Sequence, residues 1–381
     1  MKQKLVYLLK HNMAVQTLYR VLMSFAFRVL GLFCPVDDKL VLFVSFMGTQ
    51  FNDSPKAIYD YMQAYPEYGK YRCVWAMEHP ERYPELQTVK MDSLSYFLTA
   101  LRAKYWITNT NIERGLRFKK KNQVYANTWH GIALKHIGND CPGRKDYNFD
   151  TIDYLCVSGD YDEKVFRTAF RAKEKCYLRS GMPRNDQLWN ATEADRLAFR
   201  EKLRISKDKT VILYAPTWRD STDGGKTYAI KPPVNFENWK KVLGEQYVVL
   251  FRAHHLTTKI LNVQFNDFVR DASEYPQVNE LMLAADILIT DYSAIAFDYS
   301  ILCRPLLCYA YDYESYLKER GTYFEMDEYY PEKSCRTEEA LLSAIGNICV
   351  QEAGERTRRF RDQFIQYGGD ATEKVVKTVF G

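Results

Sequence analysis

What the chain lacks narrows its function before anything it contains. Among 381 residues there is no Cys-x-x-Cys pair, and the nine cysteines are an odd number. Several of them, such as Cys73, Cys156 and Cys308, sit inside apolar runs. No Cys/His spacing matches a zinc site, so buried thiols of a reducing cytoplasm are expected. Neither Gly-x-Gly-x-x-Gly nor Gly-x-x-x-x-Gly-Lys-Ser/Thr occurs, which removes support for a dinucleotide-binding or P-loop enzyme. No Ser-His-Asp ordering stands out. The net charge of +5 is too small to argue for nucleic acid as a partner. No long apolar run is uninterrupted, because Arg20 and Arg28 break the one candidate, and a spanning helix needs about 20 apolar residues. No small-residue cleavage site follows that stretch, which disfavours a signal peptide.

Residues 1–34 are what stands there instead. They hold Lys2, Lys4, Lys10, Arg20 and Arg28 and no acidic residue. Gln3, Lys10, Thr17, Arg20, Ser24 and Arg28 follow steps of seven, three and four, which places them on one helical stripe amid Leu, Val, Met and Phe. The expectation is a basic amphipathic helix lying in a membrane interface, with an N-terminal helix packed on the core as the alternative. The 29 Tyr and 21 Phe suit membrane-surface or carbohydrate contact. A basic run, Arg114, Arg117, Lys119, Lys120 and Lys121, could join Lys10, Arg20 and Arg28 in one positive face against anionic lipid or a lipid diphosphate; a solvated loop is its ordinary meaning.

From residue 39 the pattern alternates between strand and helix. Strands are expected at 39–46, 71–77, 105–109, 125–128 and 154–158, with helices at 55–64, 93–103 and 163–170 between them. After a polar helix at 193–203 a second alternation begins. It has strands at 210–215, 247–251, 268–271, 286–290 and 306–309 and helices at 235–243, 278–284 and 294–302. Helices at 337–345 and 354–366 close the chain. Such alternation predicts an α/β protein with parallel sheets, built as two Rossmann-like domains facing across a cleft. The expected divisions are a membrane helix at 1–34, a first domain at 35–190, a second at 191–350 and closing helices at 351–381.

Four strands run straight into polar turns: 125–131 (YANTWHG), 211–219 (VILYAPTWR), 248–255 (VVLFRAHH) and 287–293 (ILITDYS). Ligands of open α/β sheets bind outside the carboxyl ends of the strands, and these ends suit a phosphorylated ligand. His130 is a candidate general base, since an imidazole titrates near neutrality; a structural histidine at a strand end is the alternative. Arg252 and His254 suit a leaving diphosphate. Ser293 opens a helix whose free N–H groups attract anions, or is a plain cap. Asp160-Tyr161-Asp162 reads as a helix start, so no protein-bound metal is expected.

Five motifs occur in one order: Trp129-His130-Gly131-Ile132-Ala133-Leu134-Lys135, Gly181-Met182-Pro183-Arg184-Asn185-Asp186, Ala215-Pro216-Thr217-Trp218-Arg219, Arg252-Ala253-His254 and Thr290-Asp291-Tyr292-Ser293-Ala294. In that order they resemble the CDP-glycerol glycerophosphotransferases of teichoic acid synthesis, over residues 39 to about 330. The resemblance implies a GT-B fold and a monotopic enzyme on the cytoplasmic side of the cell membrane. It implies a CDP-polyol donor, with CDP-glycerol as substrate and no tightly bound cofactor, and a lipid-linked saccharide acceptor. His130 would then be the base. Gly131, Ile132, Ala133, Leu134, Arg184, Pro216 and Thr217 would line the donor site. Arg252, Ala253 and His254 would hold the diphosphate, and Ser293, Ala294 and Asp298 would also meet the donor. Ile132-Ala133 replaces the usual Thr-Pro, and Ala294 a common second Ser. A long N-terminal region of many polymerising members is missing, which leans toward a primase-like enzyme. CDP-ribitol as donor, a GT-B glycosyltransferase with a nucleotide-sugar donor, and a non-catalytic membrane scaffold remain open. So does a homo-oligomer.

Overall fold

The computed structural model describes residues 12–217, 233–253 and 263–381. They form two compact units. One contains the chain up to His130, then Gly138–Arg184 and Asp370–Gly381; the other contains Gly131–Ile137 and Asn185–Gly369.

The first unit is built on seven strands: β1 (Asp37–Val44), β2 (Arg72–Met77), β3 (Thr88–Lys90), β4 (Ala103–Thr108), β5 (Val124–Asn127), β6 (Tyr154–Val157) and β7 (Tyr177–Arg179). Their order is β3-β2-β1-β4-β5-β6-β7, every pair parallel. β1 shows why a run such as LVLFV forms a central strand. Its last five residues are all buried, as a strand covered on both faces must be. Val41, Phe43, Trp75 and Ile107 meet Ile58 and Met62 of the Asp53–Ala64 helix in one core.

The second unit holds β8 (Thr210–Ala215), β9 (Tyr247–Phe251), β10 (Val269–Asp271), β11 (Ile287–Thr290) and β12 (Leu306–Cys308). The order is β10-β9-β8-β11-β12, again all parallel. The α/β class with parallel sheets is therefore as the sequence indicates.

The closing helices differ from their expected grouping. Val350–Phe364 packs in the second unit, where Phe360 stacks on Phe297 at 5.2 Å. Ala371–Phe380 returns to the first, because Val375, Val376, Val379 and Phe380 complete that unit's core. The segment after His130 also belongs to the second unit. There Tyr323 N–H donates to the Leu134 carbonyl at 2.9 Å.

The N-terminal helix spans Met13–Leu32 and docks on the first unit. Its polar stripe turns toward the protein. Arg28 Nε donates to the Arg117 carbonyl at 2.8 Å, Ser24 Oγ accepts from Arg117 N–H at 3.0 Å, and Arg20 pairs with Asp146 at 3.0 Å. Phe27 stacks on Phe97 at 4.5 Å. The side next to that stripe, Leu18, Val21, Leu22, Phe25, Val29 and Leu32, is exposed, Phe25 to 67% and Leu32 to 82%. Those positions follow helical spacing, so they form one uncovered apolar row. Among the described residues no helix is long and apolar enough to cross a membrane.

Candidate active site

Because β1, β4 and β5 are neighbours and parallel, the loops leaving their carboxyl ends meet at the carboxyl end of the first sheet's centre. After β1 the chain turns through Phe46 and Met47 at φ 43° and 59°, and after β5 through Trp129 at φ 53°. A side chain in that left-handed region costs on the order of 1–3 kcal/mol and persists only where the surroundings enforce it. Here hydrogen bonds enforce it. Asn109, fully buried after β4, accepts from Phe46 N–H through Oδ1 at 2.8 Å. Asn127 Oδ1 accepts from Trp129 N–H at 2.8 Å, while Asn127 Nδ2 donates to the Thr110 carbonyl at 2.6 Å.

These loops fix His130. Its Nδ1 lies 2.7 Å from the Asn109 carbonyl oxygen. A carbonyl only accepts, so Nδ1 carries the proton and Nε2 of the neutral ring keeps its lone pair. Burial pushes the His130 pKa below its usual value, against the opposing pull of the Asn109 hydrogen bond. The ring is held beside Trp129 at 4.1 Å and Phe46 at 5.7 Å between centroids. A neutral imidazole, oriented and with one basic nitrogen available, is what a general base requires. Gly131 follows at φ 143°, a conformation that favours glycine and carries the chain out of the site.

Arg184 does not stand open to a ligand. Its Nη1 pairs with Asp53 Oδ2 at 2.6 Å, and the two side chains are only 9% and 7% exposed. Asp53 opens the Asp53–Ala64 helix at φ 64°, and its Oδ1 accepts from Ser54 N–H at 2.7 Å. The pair acts on His130 from both sides: Asp53 favours the imidazolium and Arg184 opposes it.

In the second unit β9, β8 and β11 are neighbours, and their ends carry the remaining expected residues. Asp291 ties two of these ends together, since Oδ1 accepts from Thr217 N–H at 2.7 Å and from Tyr292 N–H at 2.8 Å. Arg252 is anchored: Nη1 donates to the carbonyls of Ala272 at 2.9 Å and Tyr275 at 2.7 Å, and burial lowers its pKa. Ser293 Oγ accepts from the N–H of Ile295, the first residue of the following helix, at 3.3 Å. The helix it precedes is Ile295–Ser300, shorter than the expected 294–302. Asp298 is buried and accepts from Asn185 Nδ2 at 2.7 Å. Ile132, Ala133 and Leu134 are buried as well. Pro216 and Ala253 lie just past the ends of β8 and β9, Ala253 buried.

The basic run is largely engaged in local structure. Arg114 pairs with Asp92 at 2.9 Å, Arg117 with Asp150 at 3.2 Å and Lys119 with Asp153 at 2.8 Å; Lys120 donates to the Cys34 carbonyl, and Lys121 is exposed. Lys10, Trp218, Arg219, His254 and His255 lie outside the described residues. Sequence reading passed over Asn109 and Asn127, which hold the His130 loop. Their one signal is that each sits at the end of an apolar strand.

With that geometry in place, comparison with known proteins decides the family. The family model of CDP-Glycerol:Poly(glycerophosphate) glycerophosphotransferase matches residues 25–381. The chain belongs to this family. It is thus a CDP-glycerol-using transferase of the teichoic acid type, as the ordered motifs indicate. This glycerophosphotransferase is 33% identical over 403 residues to a teichoic acid poly(glycerol phosphate) polymerase of Bacillus spizizenii, covering 100% of both chains. It is 33% identical over 371 residues to a teichoic acid glycerol-phosphate transferase of Staphylococcus aureus, covering 90% of this chain and 93% of that one. It spans about half the length of similar polymerases of Staphylococcus epidermidis and Bacillus subtilis, 51% and 52%. Among solved structures, a histidine variant of the wall teichoic acid polymerase TagF superposes with a TM-score of 0.82 at 33% identity, covering 96% and 95% of the two chains. A second TagF structure of the same kind was soaked with CDPG and gives a TM-score of 0.80.

Proposed function

We propose that this glycerophosphotransferase moves glycerol phosphate from CDP-glycerol to a hydroxyl of an undecaprenyl-diphosphate-linked saccharide, releasing cytidine monophosphate, in wall teichoic acid synthesis. The observation that carries the reading is the Nδ1 hydrogen bond of His130 to the Asn109 carbonyl at 2.7 Å, which leaves Nε2 basic in a family defined by its CDP-glycerol donor.

The acceptor oxygen attacks the phosphorus that bears glycerol. The new P–O bond forms as the bond to the cytidine monophosphate oxygen breaks, and His130 Nε2 takes the acceptor proton. Arg252, fixed by two carbonyls, and His254 meet the diphosphate whose charge rises on departure. Positioning and fixed charges then supply most of the rate. The proposal calls for no resident cofactor. Ile132, Ala133 and Leu134, being buried, serve the donor through backbone, and Arg184 acts mainly through Asp53 and His130. The exposed apolar row of the Met13–Leu32 helix supports peripheral attachment to the cytoplasmic membrane face. A polymerase of equal length among the relatives removes the argument from length toward a primase.

The test offers CDP-glycerol and CDP-ribitol in parallel with a synthetic undecaprenyl-linked acceptor. Release of cytidine monophosphate from CDP-glycerol, with phosphorus gained by the lipid, is expected. Transfer from CDP-ribitol alone, or a lipid product without new phosphorus, would overturn the proposal.

A further inference from the structure

Beneath the N-terminal helix lies a cavity of about 740 Å³, walled by that helix and by residues 111–117 and 144–151 of the same unit. Six guanidinium groups line it: Arg20, Arg28, Arg114, Arg117, Arg144 and Arg171. Against them stand the carboxylates of Glu113, Asp146 and Asp150. Glu113 is already spent on its own loop, accepting from Phe118 and Lys119 N–H at 2.7 and 3.0 Å and from Thr151 Oγ1 at 2.6 Å. Among the described residues, Arg28 and Arg171 pair with no carboxylate; each donates to a main-chain carbonyl, of Arg117 at 2.8 Å and of Lys145 at 3.4 Å. The pairs Arg20–Asp146, Arg144–Asp146 (3.8 Å) and Arg117–Asp150 are partly exposed, the kind that rearranges at little cost. Arg114 is neutralised by Asp92 outside the lining, which leaves two cations in excess; built from forked donors, such a cavity fits a ligand carrying several phosphate oxygens.

Two features say which phosphate. The exposed apolar row of the same helix borders the cavity, where Val21 and Phe25 of that row line it, so a molecule in the cavity has lipid-compatible surface beside it. Met47 also lines the cavity, and it follows Phe46, whose ring lies 5.7 Å from His130. The cavity therefore borders the loop that touches the base. Gly115 turns the chain in that wall beside Arg20. At φ 80° it favours glycine, and a Cβ there would sit 3.4 Å from the Arg20 guanidinium.

We propose that this cavity binds the diphosphate of the lipid-linked acceptor, with Arg28, Arg144 and Arg171 as its main donors, and so holds the saccharide end near His130. The inference rests on the lipid-linked acceptor proposed above.

The test is flotation of the full chain with phosphatidylcholine vesicles that contain undecaprenyl diphosphate, phosphatidylglycerol at equal surface charge, or neither, with inorganic pyrophosphate as soluble competitor. The diphosphate vesicles should capture the protein best, and pyrophosphate should compete. Arg144→Gln/Arg171→Gln, which leaves the helix contacts intact, should weaken the diphosphate-dependent part by about tenfold or more, as expected when charge-assisted hydrogen bonds are lost. Its binding to plain vesicles should not change. Arg28→Gln should act in the same direction. Unaltered capture of these variants by diphosphate vesicles would overturn the proposal, as would equal, pyrophosphate-insensitive capture by phosphatidylglycerol. Binding is read without turnover, so a chain that fails to release cytidine monophosphate would count against the transferase reading and leave this one measurable.

Discussion

The Asp53–Arg184 pair gives the sharpest prediction about how the site is held. The two charges lie 2.6 Å apart with less than a tenth of either side chain exposed, so each is desolvated and each depends on the other. Arg184→Met leaves the Asp53 carboxylate buried beside one remaining hydrogen bond, from Ser54 N–H. Removing one member of a buried pair costs about 3–5 kcal/mol. Asp53→Asn removes the carboxylate that faces the guanidinium and should also destabilise the protein, while Asn still tolerates the φ of 64° at that position. The double variant should recover much of the loss, which denaturant unfolding of all four proteins would reveal as a coupling energy. The same variants should move the pH profile in opposite directions. Arg184 disfavours the His130 imidazolium, so its loss raises the His130 pKa and shifts the acid limb of the rate to higher pH; Asp53 favours it, so Asp53→Asn shifts the limb to lower pH. Stability losses under about 1 kcal/mol for both single variants, or limbs moving the same way, would refute the reasoning.

Other perturbations test other parts of the molecule. In the wild type, burial lowers the His130 pKa, and the reaction needs the neutral ring, so kcat/KM should rise with pH through a midpoint below the ordinary imidazole value of about 6.5 and stay level above it; a midpoint above that value contradicts the assignment. Arg200 is 1% exposed and donates to Asp286 and to the carbonyls of Ala284 at 2.9 Å and Lys209 at 3.0 Å. Arg200→Met should therefore destabilise the second unit by about 3–5 kcal/mol in a urea titration. Replacing Leu18, Leu22 and Phe25 with Ser should release the protein from vesicles in a flotation assay while leaving its melting temperature near that of the wild type, since these side chains are exposed.

Local patterns carried most of the architecture. Buried runs such as LVLFV and ILIT announce central parallel strands because both faces are covered, and the loops that follow them hold His130, Arg252 and Asp291. The strands Thr88–Lys90 and Tyr177–Arg179 were not legible, because neither holds a buried residue and so no apolar run marks them, unlike the equally short Val269–Asp271 and Leu306–Cys308. Long-range closure was also hidden. The return of Ala371–Phe380 to the first unit depends on apolar residues that would suit either core. In the site, chemistry-bearing residue types could be read at strand ends, but their state could not. The Asp53–Arg184 pair joins residues 131 positions apart, and the tautomer of His130 follows from the Asn109 carbonyl, not from any side chain. The stripe of Thr17, Arg20, Ser24 and Arg28 was legible as a stripe. Its inward direction was not, because helical spacing fixes which residues share a face and leaves open what that face meets.

The most direct test of the account is single-turnover release of cytidine monophosphate from saturating CDP-glycerol, with undecaprenyl-linked acceptor, by the wild type and by His130→Ala. The account predicts release by the wild type with phosphate gained by the lipid. In the variant it predicts a rate lower by roughly 10²–10⁴, the usual contribution of a positioned base, with donor binding retained. A variant that turns over at nearly the wild-type rate, or a folded wild type that releases nothing, would contradict it.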